Sequence, residues 1–173
     1  KLFGWPANSQ SITSILNDPE ESTRIKSAIV RNPGLNTDHV KTILTGTNDR
    51  LKNDLLGNPN SPVTEDDIHH IVSTSTNSGL ISNALSHPKA NVSHINTVLK
   101  RNLLTNRDIH QEISKVPGLS ADHITMLLNN KYRSNRSAEH LLRSENFNNS
   151  HALLLVKNKP IDSNDNYLRH SRS

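Results

Sequence analysis

The chain has 173 residues, enough for one domain with a core of its own, yet only 32% are hydrophobic and 3% aromatic, which suits an elongated body better than a compact globule. It has no cysteine, which excludes disulfides, thiolate metal sites and thiol catalysis, and no apolar run near the roughly 18 residues a membrane span needs. A net charge of +4 admits an anionic partner, nucleic acid included, without demanding one.

Taken in chain order, the elements repeat. In residues 5–31, Asn8 precedes Ile12, Ile15 and Leu16, and Ile25 and Ile29 follow. In 32–57, after "RNPG", Asn36 precedes Val40, Ile43 and Leu44, then Leu51 and Leu55. In 58–86, after "GNPN", Thr64 leads to Ile68, Ile71 and Val72, then Leu80 and Ala84. In 87–114, after "SHPK", Asn91 leads to Ile95, Val98 and Leu99, then Ile109 and Ile113. In 115–143, after "KVPG", Ser120 leads to Ile124, Leu127 and Leu128, then Ala138 and Leu142. In 144–170, Asn148 leads to Ala152, Leu155 and Val156, and Tyr167 closes the series. The first apolar column steps by 28, 28, 27, 29 and 28 residues. Spacings of i, i+3, i+4 give one face of a first helix, A, and i, i+4 one face of a second, B. Pro33, Pro59, Pro88 and Pro117 end the B helices, because proline cannot continue a helix. The expectation is an all-α single domain over residues 1–173, built from six two-helix repeats and about twelve short helices.

Four of the repeats place a histidine just before the first apolar column, in "TDHV", "VSHI", "ADHI" and "NSHA". Four residues before that column stand Asn8, Asn36, Thr64, Asn91, Ser120 and Asn148, all good N-cap types. The residues before them, Ala7, Leu35, Val63, Ala90, Leu119 and Phe147, are apolar, as a hydrophobic staple requires. This register puts His39, His94, His123 and His151 at the third helical position, where a capping box reaches back to the cap's own N–H. A neutral imidazole can accept that bond, so the favoured role is structural, and exchange for Gln should be nearly silent. A metal ladder fits less well, because ligands on neighbouring helices stand about 8–10 Å apart while two nitrogens sharing zinc each lie about 2 Å from it. A pH switch is the third alternative. His69, His70 and His87 lie off the ladder, and "DDIHH" does not match the zincin helix motif.

Runs such as "NPGLNTDHVKTIL", "GNPNSPVTEDDIHHIV" and "SHPKANVSHINTVL" resemble the leucine-rich-repeat-variant and HEAT-like class, over residues 7–156. The resemblance implies a right-handed α-solenoid that binds protein or nucleic acid on an extended face. The iron–sulfur cluster of one founding member does not carry over, since its cysteines are missing here. The glycosylase activity of some HEAT-like arrays is not carried over either, because the lone Trp5 lies at the terminus.

No Gly-rich phosphate loop, cysteine nucleophile or G-x-S-x-G is present, so no catalytic residue, cofactor or metal is expected. "EDD" at 65–67, like Asp38 and Asp122, fits the first turn of an A helix, where acids complement the dipole. The expected function is a non-catalytic scaffold that binds a protein partner, in a soluble, cytoplasmic chain. The alternative is sequence-tolerant nucleic-acid binding along a basic edge formed by Lys100, Arg101, Arg107, Lys131, Arg133, Arg136, Lys157 and Lys159. Those cations, with Arg24, Lys26, Arg50 and Lys52, are read as lying between A and B in five of the six repeats, the third having "STSTNSG" and no cation there. With little aromatic surface for stacking, such binding would follow phosphates rather than bases. At the ends, Leu2, Phe3 and Trp5 are expected to form a lid on the first repeat, and Tyr167 and Leu168 to close the last. The chain begins at Lys1 rather than Met, which fits a processed chain or a piece of a longer one.

Overall fold

A computed structural model describes residues 7–158. Among them are eleven α-helices and no strand: α1 (Ser9–Asn17), α2 (Thr23–Val30), α3 (Thr37–Thr45), α4 (Asp49–Gly57), α5 (Glu65–Thr74), α6 (Ser78–Ser86), α7 (Val92–Lys100), α8 (Arg107–Lys115), α9 (Ala121–Asn129), α10 (Asn135–Leu142) and α11 (Asn149–Lys157). Odd numbers are A helices and even numbers B helices. The expected lid at Leu2, Phe3 and Trp5, the closing residues Tyr167 and Leu168, and Lys159 lie outside the described residues.

The chain divides into two compact units, Lys1–Ala90 and Asn91–Ser173. In the first, α1, α3 and α5 pack in sequence, as do α2, α4 and α6, and each A helix packs on its own B. In the second, α8 packs on α10 and on α9, and α9 on α11. Helices of eight to ten residues are too short to persist alone in water, so they depend on these shared faces.

Cap chemistry sets where each A helix begins. All six expected caps are in place, each in extended backbone with its side chain accepting a helical N–H. Leu35, Val63, Ala90 and Leu119 before the caps are buried. The B helices carry caps of their own, Ser22, Asn48, Asn77, Asn106 and Ser134, which the apolar columns did not disclose.

The turns are built as deliberately. Asn32 Oδ1 accepts from Ala7 N at 2.9 Å and from Gly34 N at 2.8 Å. Gly34 must lack a Cβ, which would stand 2.4 Å from Ala7 O. Asn58 accepts from Asn60 N and donates Nδ2–H to Val30 O at 3.2 Å, tying one turn to the repeat before it. Gly118 takes φ +82°, which glycine adopts without strain.

The apolar columns form the core. Ile12, Val40, Ile68, Ile95 and Ile124 are fully buried, as are Leu55, Leu80, Ile109 and Ile113. Three positions correct the sequence reading. Leu142 is 47% exposed while Leu141 is fully buried, because the caps Asn106 and Ser134 are 28 residues apart and not 29. The B register therefore moves one residue earlier, with Ser137 and Leu141 inside. Ile25 is 45% exposed, and α2 buries Ser27 and Val30 instead. Val156 is 70% exposed, and the B helix expected to cover it falls outside the described residues.

Candidate functional site

The recurrent histidines are the first candidates for chemistry. Each Nδ1 accepts the N–H of its own cap residue, at 3.0 Å from Asn36, 3.0 Å from Asn91, 3.2 Å from Ser120 and 3.0 Å from Asn148. The capping box is complete in all four helices, and Asp67 completes it in α5. Accepting requires a bare Nδ1, so the ring proton sits on Nε2. That second nitrogen is also engaged. His39 Nε2–H donates to Ser9 O at 3.0 Å, His123 Nε2–H to Asn96 Oδ1 at 2.8 Å and His151 Nε2–H to Ala121 O at 3.0 Å. The imidazole is thus a strut: one nitrogen closes its own helix start, and the other reaches the preceding A helix. His39, His94 and His151 are each 2% exposed.

The strut was missed from sequence, although a signal for it exists. The residue after the first apolar column is Thr13, Lys41, His69, Asn96 and Thr125 in five repeats, then Leu153. Asn96 accepts the next repeat's histidine, and Thr125 Oγ1 lies 3.0 Å from His151 Nε2. Leu153 breaks that pattern and stands 73% exposed. Among the described residues no group of three or more His, Asp or Glu is arranged to hold a metal ion.

A second cluster lies inside the 91–173 unit. His110 is fully buried, and its Nε2–H donates to Leu127 O at 2.8 Å. Its Nδ1 has no hydrogen-bond partner among the described residues. Burial lowers its pKa below the ordinary histidine value and the nearby Arg133 charge lowers it further, against the Leu127 bond, which raises it. Arg133 is itself only 4% exposed. Its guanidinium donates to Asn158 O at 2.6 Å, Leu155 O at 2.9 Å and Leu128 O at 3.5 Å. Those carbonyls end α9 and α11, where a cation is favoured by the dipole. Burial lowers the Arg133 pKa from its usual value.

This changes the expected basic edge. Arg133 is a buried helix cap and leaves the set of surface cations. Lys100 and Lys157 are exposed in the last turns of α7 and α11, where the dipole accounts for them. Lys131 is exposed, its Nζ 5.0 Å from the Tyr132 ring centroid. Arg101 is half-buried at the C-cap of α7. Arg107 and Arg136 are exposed in the first turns of α8 and α10. Cations there oppose the dipole, so helix electrostatics gives no reason for them. Charge also divides between the units: residues 1–90 hold eight Lys and Arg against nine Asp and Glu, and residues 91–173 hold twelve against seven.

No helix among the described residues is long and apolar enough to cross a membrane. Comparison with protein-family models, with curated proteins and with solved structures gave no match.

Proposed function

We propose that this chain is a non-catalytic interaction scaffold, a right-handed α-solenoid of the leucine-rich-repeat-variant and HEAT-like kind, which binds a protein partner through its surface. The observation that carries this reading is where the reactive side chains go. His39, His123 and His151 have both ring nitrogens engaged within the fold, and Arg133 is spent on helix ends. Groups committed in this way hold repeats together and leave recognition to the exposed helix ends.

The charge division favours a second reading, sequence-tolerant nucleic-acid binding through Lys100, Arg107, Lys131, Arg136 and Lys157. One titration separates the two. Mixed-sequence nucleic acid is added at low and at physiological salt to the wild type and to a variant with Lys100, Arg107, Lys131 and Arg136 changed to Glu. Phosphate binding through these four would steepen the salt dependence by a slope of about 3 over that of the variant. Equal binding of both proteins, or none, leaves the protein scaffold standing. Salt-sensitive binding lost in the variant replaces it with the nucleic-acid reading.

A further inference from the structure

The unit Lys1–Ala90 carries two open grooves of about 200 and 450 Å³ on the edge where each A helix passes to its B. They are equivalent positions of successive repeats. Leu16 in the first groove corresponds to Leu44 in the second, and Lys26 to Lys52, each the fourth residue of its B helix. The caps Asn48 and Asn77 correspond in the same way. Each groove thus joins an aliphatic wall to one lysine and a cap amide. Lys26 is the only charged side chain lining the first. In the second, Lys52 lies 3.8 Å from Asp49, which also accepts from Asn77 Nδ2 at 3.0 Å. The lysine pattern then stops: the same position is Ile81, His110 and Ala138 in the later B helices, all buried.

We infer that these grooves are a two-site track for an extended acidic peptide segment, with one carboxylate per groove about three residues apart. The inference rests on the scaffold reading. Neighbouring helices stand about 8–10 Å apart, and a chain in the polyproline II conformation rises about 3.1 Å per residue with about three residues per turn, so side chains about three residues apart face the same way and reach from one lysine to the next. Arg24 and Arg50 are exposed in the first turns of the same B helices and extend the cationic track. Single-stranded nucleic acid fits less well, since no Phe, Tyr or Trp lines either groove and His70 is the one ring, in the second groove alone, whereas stacking successive bases needs an aromatic platform at each. In the Lys52–Asp49 pair the carboxylate is the more exposed partner, 43% against 14% for the lysine, and 3.8 Å is a long contact, so a ligand carboxylate reaches Lys52 by displacing Asp49.

The test uses the full chain and fluorescent peptides of about ten residues, long enough to span both grooves. One has Glu at every third position, one has the same glutamates clustered, and one has Gln in their place. The spaced peptide should bind best, and the Gln peptide about twentyfold more weakly for two lost contacts. Lys26→Met and Lys52→Met, which keep the aliphatic stem, should each weaken the spaced peptide about fivefold, while Arg136→Glu in the other unit changes nothing. Thermal melts by circular dichroism show that the variants fold. Equal affinity for spaced and clustered peptides, indifference to both lysine variants, or no binding at all overturns the track. None of these touches the scaffold reading, which stands or falls on the nucleic-acid titration.

Discussion

His39 makes the strut testable in parts. Its Nδ1 accepts from Asn36 N at 3.0 Å and its Nε2–H donates to Ser9 O at 3.0 Å. Gln at this position can reach back to the cap, as capping boxes normally do, but its amide cannot also span to the preceding helix. Ser9 O keeps a bond from Thr13 Oγ1 at 3.0 Å, so no carbonyl is orphaned. His39→Gln should therefore cost about one net hydrogen bond, about 0.5–1.5 kcal/mol. His39→Ala loses both bonds and leaves a cap N–H without its acceptor in a site that is 2% exposed, for a total of about 2–4 kcal/mol. The prior expectation that Gln is nearly silent gives way because the second nitrogen is engaged. Urea unfolding at pH 8 gives both costs, and hydrogen exchange at the Asn36 amide should accelerate far more in the Ala variant. Long-range nitrogen–proton NMR should report the Nε2–H tautomer for His39, His123 and His151. An Nδ1–H tautomer, or equal costs for Gln and Ala, would refute the strut.

The remaining expectations probe the second unit. Arg133→Met strands carbonyls of α9 and α11 and should cost about 3 kcal/mol, with Arg133→Lys recovering only part because an ammonium lacks the guanidinium fork; urea midpoints decide, and a Met variant as stable as wild type would remove the capping role. His110 resists protonation in the fold, so its contribution is complete above the unfolded value of about 6.5 and declines as pH falls from there toward the lowered native pKa. Stability measured across that range should show a slope that flattens in His110→Gln, and an unchanged slope would contradict the assignment. Leu141→Ala should cost about 2–5 kcal/mol and Leu142→Ala under about 0.5 kcal/mol, a contrast that reverses if the B register is one residue later.

The A helices were legible because caps are local chemistry. Asn36, Thr64 and Ser120 each act on N–H groups two or three residues ahead, so spacing within one repeat suffices. The slip at Leu142 arose where a constant step of 29 was carried across a link one residue shorter. Arg133 was misplaced for a different reason. It sits in the polar run "NNKYRSN", which reads as a solvated link, and its burial is imposed by the end of α11, 22–25 residues later. The outward bonds of the histidines needed the same kind of knowledge, since their partners lie 27–30 residues back.

Repetition therefore separates two kinds of information. What recurs in register, the cap, the imidazole strut and the buried columns, holds a helix to its neighbour and says nothing about a partner. What recurs and then stops needs a cause other than stacking. Lys26 and Lys52 occupy a position that the later B helices fill with buried Ile81, His110 and Ala138, so packing alone accepts an apolar or neutral residue there. Asp49 gives Lys52 a partner within the fold at 3.8 Å, while Lys26 is the one charged side chain in its groove, so Lys26 is the position where the proposed carboxylate has least competition. Leu153 departs in the opposite sense, an apolar side chain at 73% exposure where Asn96 and Thr125 face the next repeat's histidine. At that position α11 therefore presents an apolar side chain in place of the polar seat that Asn96 and Thr125 supply.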